Sequence, residues 1–374
     1  MSVGTVRELH ASATKITGLD DFGEDDYTDG LEVLLESYER EAGLTEVGAR
    51  MKRSFLRGAL VARLLSEQAW RSRPEHATVP IERPIFVTGL PRTGTTALHR
   101  LLTADPAHQG LEVWLTEVPQ PRPPRDTWAD NPVFQRIQAG YERFHVQRPE
   151  FMGVHAMSAD MVEECWQLLR QSMRSVSYEC LAHLPTYSDW LAKQNWTPAY
   201  RRHKRNLQLI GLPDRDRRWV LKNPSHLFAL DALLSVYPDA LVIQTHRQPS
   251  VAIASVCSLN AQASAQWSTV YQGEVVGRDQ LELWARGLRT FTAERAKHDQ
   301  SRFYDVAYDD FVADPIGTVE RIYAHFDLPL TETATAAMRA MHEQSSSGAS
   351  KPAHTYALAD FGLTEQQVNE RFAC

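Results

Sequence analysis

Residues 84–96 read PIFVTGLPRTGTT. Ile85, Phe86 and Val87 form a short β-prone apolar run that stops at Gly89-Leu-Pro, and residues 95–102 then carry a helical pattern. A strand that passes through a glycine-bearing loop into a helix leaves few folds open. The strand has to be buried in a sheet, and the helix has to pack back against it. The loop between them turns backbone N–H groups and the positive end of the helix toward one spot, which suits an anion. Thr93, Thr95 and Thr96 can add hydroxyl donors there, and Arg92 adds a planar guanidinium. An ordinary capped turn would need a glycine and one threonine. It would have no use for Arg92 and two more hydroxyls inside six residues.

Two further segments repeat the alternation. Residues 219–221 (WVL) read as a strand, and Pro224 starts a helix through Leu227, Leu230, Leu233 and Leu234. Residues 240–245 (ALVIQT) read as a third strand, followed by Pro249 and a helix reaching Leu259. Strands alternating with helices predict an α/β fold with a central parallel sheet covered on both faces. Residues 1–80 read as helical, with Leu31, Leu34, Leu35 and Tyr38 on one stripe and Leu56, Leu60, Val61, Leu64 and Leu65 on another. Residues 158–210 read as helical insertions broken near Pro185 and Pro198. The run PQPRPP at 119–124 predicts a surface loop or extended arm, and Thr364 is a candidate cap for a last helix.

Composition narrows the function classes. The 374 residues are 43% hydrophobic and carry a net charge of −7. That supports a sizeable core and argues against a general nucleic-acid binder, which needs basic surface. The four cysteines, Cys165, Cys180, Cys257 and Cys374, form no CxxC pair, and no histidine cluster has metal-ligand spacing. The first residues carry no apolar h-region, so no secretory leader is expected, and no apolar run reaches the roughly 18–20 residues needed to span a bilayer. The expectation is a cytoplasmic protein with reduced thiols, no metal and no transmembrane segment.

A Walker A loop reads GxxxxGK[ST]. Gly89 and Gly94 keep that spacing, but Thr95 stands where the lysine belongs, and the cation has moved to Arg92. A nucleotide triphosphatase uses that lysine and Mg²⁺ on its β- and γ-phosphates. A phosphosulfate has less charge to neutralise, so one arginine with several hydroxyls suffices. A second anion site is suggested where the third strand runs into Thr245-His-Arg247-Gln-Pro249. Arg247 lies at the carboxyl end of that strand, where open α/β sheets bind ligands, and Ser255 follows about two helical turns on.

These two segments resemble the motifs of the sulfotransferases that use 3′-phosphoadenosine 5′-phosphosulfate (PAPS), particularly bacterial members with a long helical N-terminal region. Pro91-Arg92-Thr93-Gly94-Thr95-Thr96 is similar to the family's 5′-phosphosulfate loop. Arg247, Pro249 and Ser255 match its 3′-phosphate motif. The likeness covers roughly residues 84–374. It implies a P-loop-like three-layer fold, PAPS as donor and PAP as product, no metal requirement, and a small-molecule or lipid acceptor that offers a hydroxyl. A helical region over residues 1–80 would precede a catalytic domain over 81–374.

The resemblance also assigns roles. Lys222 matches a lysine near the transferring sulfuryl group, and His226 is the nearest histidine that could serve as general base. The segment WLTEVPQP at 114–121 is similar to one with a glutamate directly after the tryptophan. Here Leu115 holds that position, so Glu117 or Glu112 is the substitute. His155, Glu163 and Glu164 are further candidates. Residues 308–315 (YDDFVADP) resemble a structural turn beside the nucleotide. Lys351 and His354 are candidates for a basic segment over the 3′-phosphate. The competing enzyme class is a P-loop kinase or nucleotide hydrolase, and the non-enzymatic reading is a nucleotide-binding scaffold. The identity of the acceptor and the oligomeric state are not written in the sequence.

Overall fold

The computed structural model describes residues 2–147, 157–347 and 356–373. A five-stranded sheet forms the centre: β1 (Ile85–Gly89), β2 (His108–Gln109), β3 (Arg218–Lys222), β4 (Leu241–His246) and β5 (Phe303–Ala307). The order is β2-β3-β1-β4-β5, and all pairs are parallel. β1 is flanked by β3 and β4, with Val87 opposite Lys222 on one side and Gly89 opposite Thr245 on the other. The ends of the three predicted strands therefore meet at one carboxyl edge, where strand order switches and open α/β sheets place their ligands.

Alternation along the strands builds two cores. Ile85, Val87, Val220, Leu241 and Ile243 face one helical layer, while Phe86, Trp219, Leu221 and Val242 face the other. The result is a three-layer α/β fold. Three N-terminal helices, α1 (Val6–Thr17), α2 (Thr28–Arg40) and α3 (Glu46–Ser72), add Leu9, Leu31, Leu34, Leu56 and Leu60 to the second core. Thr5 and Thr45 cap α1 and α3 through their hydroxyls.

The structure departs from the sequence expectations in places. β2 and β5 were not anticipated. The single helix expected from Pro224 is a 3₁₀ turn (Pro224–Phe228) followed by a helix (Leu230–Val236), broken at Ala229. Asn223 caps that turn by accepting from Ser225 N at 3.0 Å. The proline-rich run is extended but not wholly a surface loop. Arg122 in it is buried and pairs with Glu112 and Asp214. Pro185 and Pro198 begin helices (Pro185–Leu191 and Thr197–Ile210), and Thr364 closes a capping box on the last one.

Candidate active site

The loop after β1 is shaped by its glycines and closed by its threonine. Gly89 has φ +142°, and a Cβ there would meet the Thr245 carbonyl oxygen at 2.5 Å, so β1 and β4 can approach only with glycine at this position. Thr93 is buried and directs its hydroxyl inward, to Leu90 O at 2.6 Å and Thr245 Oγ1 at 2.5 Å. Helix α4 (Thr95–Thr103) then starts behind Gly94, with no side chain capping its first turn. Those first-turn N–H groups are the unsatisfied donors that make a helix N-terminus an anion site.

Arg92 has φ +70°, a left-handed conformation that a non-glycine residue adopts at a cost of about 1–3 kcal/mol. Contacts from the second motif hold it there. Arg92 Nε donates to Ser255 Oγ at 3.0 Å, and Arg247 Nη1 donates to the Arg92 carbonyl at 3.0 Å. The Arg247 guanidinium lies 4.1 Å from the Tyr308 ring centre, and Tyr308 also packs against Gly94. Arg92, Gly94, Arg247, Ser255 and the Tyr308 turn are thus brought together, although they come from three segments of the chain.

Lys222 ends β3 beside the same loop. Its Nζ donates to Thr96 Oγ1 at 3.2 Å and pairs with the Glu164 carboxylate. The segment carrying Glu164 is pinned to β3, because Cys165 N donates to the Lys222 carbonyl at 3.1 Å. Beyond this pair lies a cavity of about 320 Å³, bordered by Pro91 of the loop, Glu163, Glu164, Tyr178, Val256 and Trp284. Its walls are mainly apolar and aromatic, as in sites for organic ligands.

The other predicted residues lie elsewhere. His226 does not border this cavity. It is 1% exposed in the second core, with Nδ1 2.7 Å from Tyr200 OH and the ring edge-on to Phe86 at 5.0 Å. Burial and the neighbouring His203 hold its pKa well below the ordinary histidine value. The 3₁₀ turn rotates it away from the cavity, whereas a regular helix was expected. Glu117 accepts from Tyr141 OH at 3.2 Å and does not border the cavity either. Glu112 is committed to Arg122. His155, Lys351 and His354 lie outside the described residues. Lys52 of α3 and Arg170 do border the cavity, and no local pattern marks either in the sequence.

The remaining features bear on chemistry by what they leave available. Among the described residues, no three His, Cys, Asp or Glu side chains are grouped as metal ligands, and no helix is long and apolar enough to cross a membrane. Arg92, Lys222, Glu164 and Arg247 are among the charged groups at this edge. That set can hold anionic oxygens and exchange a proton with a neighbouring ligand.

Comparison with known proteins agrees with this geometry. Residues 84–332 match the model of the sulfotransferase family. The crystal structure of sulfotransferase STF1 from Mycobacterium tuberculosis H37Rv is 59% identical, covers 100% of this chain and 99% of that one, and superposes with a TM-score of 0.93. Sulfotransferase STF9 from Mycobacterium avium is 28% identical, covering 99% of this chain and 95% of that one, with a TM-score of 0.88. Among curated relatives, the omega-hydroxy-beta-dihydromenaquinone-9 sulfotransferases Stf3 of Mycobacterium bovis and Mycobacterium tuberculosis are 28% identical over 67% of this chain. The match spans 64% of those relatives' length, just under two thirds. On the matching family model and on a fold shared along its whole length with STF1, this chain belongs to the sulfotransferase family.

Proposed function

We propose that the protein transfers a sulfuryl group from PAPS to a hydroxyl on a largely apolar small molecule or lipid, forming a sulfate ester and PAP. The observation that carries this reading is the continuity of the Arg92 loop, the Lys222–Glu164 pair and the apolar cavity. Donor, reacting centre and acceptor space then adjoin one another in that order.

PAPS supplies an activated sulfuryl group on its 5′-phosphate. The residues fit such a donor. Arg92, the open first turn of α4 and Thr95 and Thr96 would hold the 5′ end, and Arg247 with Ser255 would hold the 3′-phosphate. Lys222 would neutralise charge growing on the sulfuryl and leaving oxygens. We assign the general base to Glu164 rather than to His226 or Glu117, because it borders the cavity while touching Lys222. In the balanced step the acceptor oxygen bonds to sulfur as its proton passes to Glu164. The bond from sulfur to the phosphate oxygen breaks, and PAP keeps that electron pair. The kinase or hydrolase alternative has no lysine at Thr95 to support it. The omega-hydroxy-beta-dihydromenaquinone-9 named for the curated relatives is consistent with an apolar pocket, and we place the reaction in the cytoplasm. Melting curves provide the test: PAP should raise the melting temperature in EDTA, and Mg-ATP should not. Stabilisation by Mg-ATP alone would overturn the reading.

A further inference from the structure

Asn223 follows Lys222 at the end of β3, and the fold uses all but one of its polar atoms. Its backbone N–H donates to Val87 O at 3.2 Å, and its carbonyl accepts from Thr88 Oγ1 at 3.1 Å. Its side-chain Oδ1 accepts from Ser225 N at 3.0 Å. That last bond fixes which way the amide points, since the flipped amide would set an NH2 group against an N–H. The residue is 2% exposed, and Nδ2 has no partner among the described residues. A buried donor left unused carries a desolvation cost. The cap does not call for it. Asp, Ser or Thr would accept from Ser225 N and leave no amide group over.

Position indicates what the amide serves. The backbone at Asn223 is still extended, with φ −167° and ψ 131°, so the side chains of Lys222 and Asn223 leave the chain on opposite faces of the sheet. Lys222 goes to the face of α4, where Nζ meets Thr96. Asn223 goes to the face of Leu221 and borders the apolar cavity beside Pro224 and Ser225. Glu164 borders the same cavity. Its carboxylate touches Lys222 Nζ, and the next residue, Cys165, donates its N–H to the Lys222 carbonyl at 3.1 Å. The segments carrying Glu164 and Asn223 are thus pinned to the same residue. Among the described residues that border the cavity, Arg170 and Asn223 hold a buried side-chain atom without a partner, and Asn223 is the one that adjoins the Lys222–Glu164 pair.

We propose that Asn223 Nδ2 donates a hydrogen bond to the oxygen of the acceptor hydroxyl and positions it for transfer. The proposal rests on the reading that this cavity holds the acceptor. An amide NH2 only donates, and an ionised carboxylate only accepts. A hydroxyl between them gives its proton to Glu164, takes the hydrogen bond from Asn223 on one lone pair, and keeps the other lone pair for sulfur. A neutral amine has one lone pair, so the same hydrogen bond would leave it none for sulfur. Asn223 therefore selects oxygen nucleophiles. A sulfuryl oxygen is not its partner, because the Lys222 side chain serves the donor from the other face.

The test is calorimetry on the PAP-saturated protein with 1-octanol and 1-octanethiol, whose sulfur is a weak hydrogen-bond acceptor. Asn223→Ser keeps a cap for Ser225 N and removes the amide. It should weaken octanol about 3- to 10-fold and octanethiol less than about twofold, a difference that a merely structural role would not produce. The melting shift with PAP should stay as in the unaltered protein and checks that the variant folds. If Asn223→Ser does not fold, Asn223→Thr, which also caps, takes its place. Undiminished octanol binding in the variant, equal losses for the two probes, or no octanol binding to the unaltered protein would overturn the proposal. Transfer of sulfur from PAPS to octanol is scored separately, and its failure bears on the proposed reaction and not on the Asn223 hydrogen bond.

Discussion

Arg92 Nε and Ser255 Oγ, 163 positions apart in the chain, are hydrogen-bonded at 3.0 Å across the carboxyl edge of the sheet. This contact joins the loop after β1 to the helix Pro249–Ala263 after β4. Arg247 completes the link from the end of β4 through the Arg92 carbonyl. The two proposed anion sites are therefore physically linked, and a change in one is expected to be felt in the other.

Arg247→Ala should weaken PAP far more than an analogue lacking the 3′-phosphate. A charge-assisted hydrogen bond is worth about 2–3 kcal/mol, roughly 30- to 150-fold in affinity. A smaller loss, of a few fold, should appear for both ligands, because Arg92 loses a carbonyl contact that holds its backbone. Titration calorimetry with the two ligands separates the effects. Equal losses would remove Arg247 from the 3′-phosphate.

Lys222→Met should lower kcat by roughly 100- to 1,000-fold while PAP affinity stays close to that of the unaltered protein, since PAP lacks the sulfuryl group. Glu164→Gln should lower kcat by about 100- to 10,000-fold for an alkyl alcohol. His226→Gln should retain activity within about tenfold. It should cost stability instead, about 1–3 kcal/mol, through its buried hydrogen bond to Tyr200. Steady-state kinetics beside chemical denaturation distinguishes the three. A collapse of kcat in His226→Gln at unchanged stability would return the base to histidine.

Lys52 gives the fold a pH dependence of defined sign. Its pKa is about 7 in the folded chain against 10.5 for an ordinary lysine. Between those values the unfolded chain binds the proton and the folded chain has released it, so this residue's contribution to stability rises with pH. Lys52→Met should melt higher than the unaltered protein at pH 7, and the gap should narrow toward pH 10 at up to about 1.4 kcal/mol per pH unit. Comparing the two proteins cancels the contribution from Tyr38, whose pKa burial raises. A gap that does not change with pH would mean Lys52 is not desolvated.

What was legible in the sequence was what lies close together in it. β1, its loop and α4 are contiguous, and apolar runs preceding Lys222 and Arg247 marked β3 and β4. β2 has only two residues and gains its strand character from pairing with β3, so its own sequence carried little signal. β5 reads FYDVA, an alternating edge strand without a glycine loop to announce it. His226 is the histidine nearest Lys222 in the sequence, whereas the 3₁₀ turn sets its ring against Phe86. The choice among carboxylates required the fold. Glu164 meets Lys222 across 58 positions, and Lys52 reaches the cavity from α3, far from every motif.

Sulfuryl transfer is proposed at a site whose cations are Arg92 and Lys222. It is tested most directly by incubating the protein with sulfur-labelled PAPS, EDTA and a panel of apolar alcohols, phenols and hydroxy acids. The label should pass to an organic acceptor with one PAP formed per sulfate ester, and Lys222→Met should abolish most of the transfer. No transfer to any acceptor in EDTA, together with phosphoryl transfer or hydrolysis from Mg-ATP by the same preparation, would contradict the account.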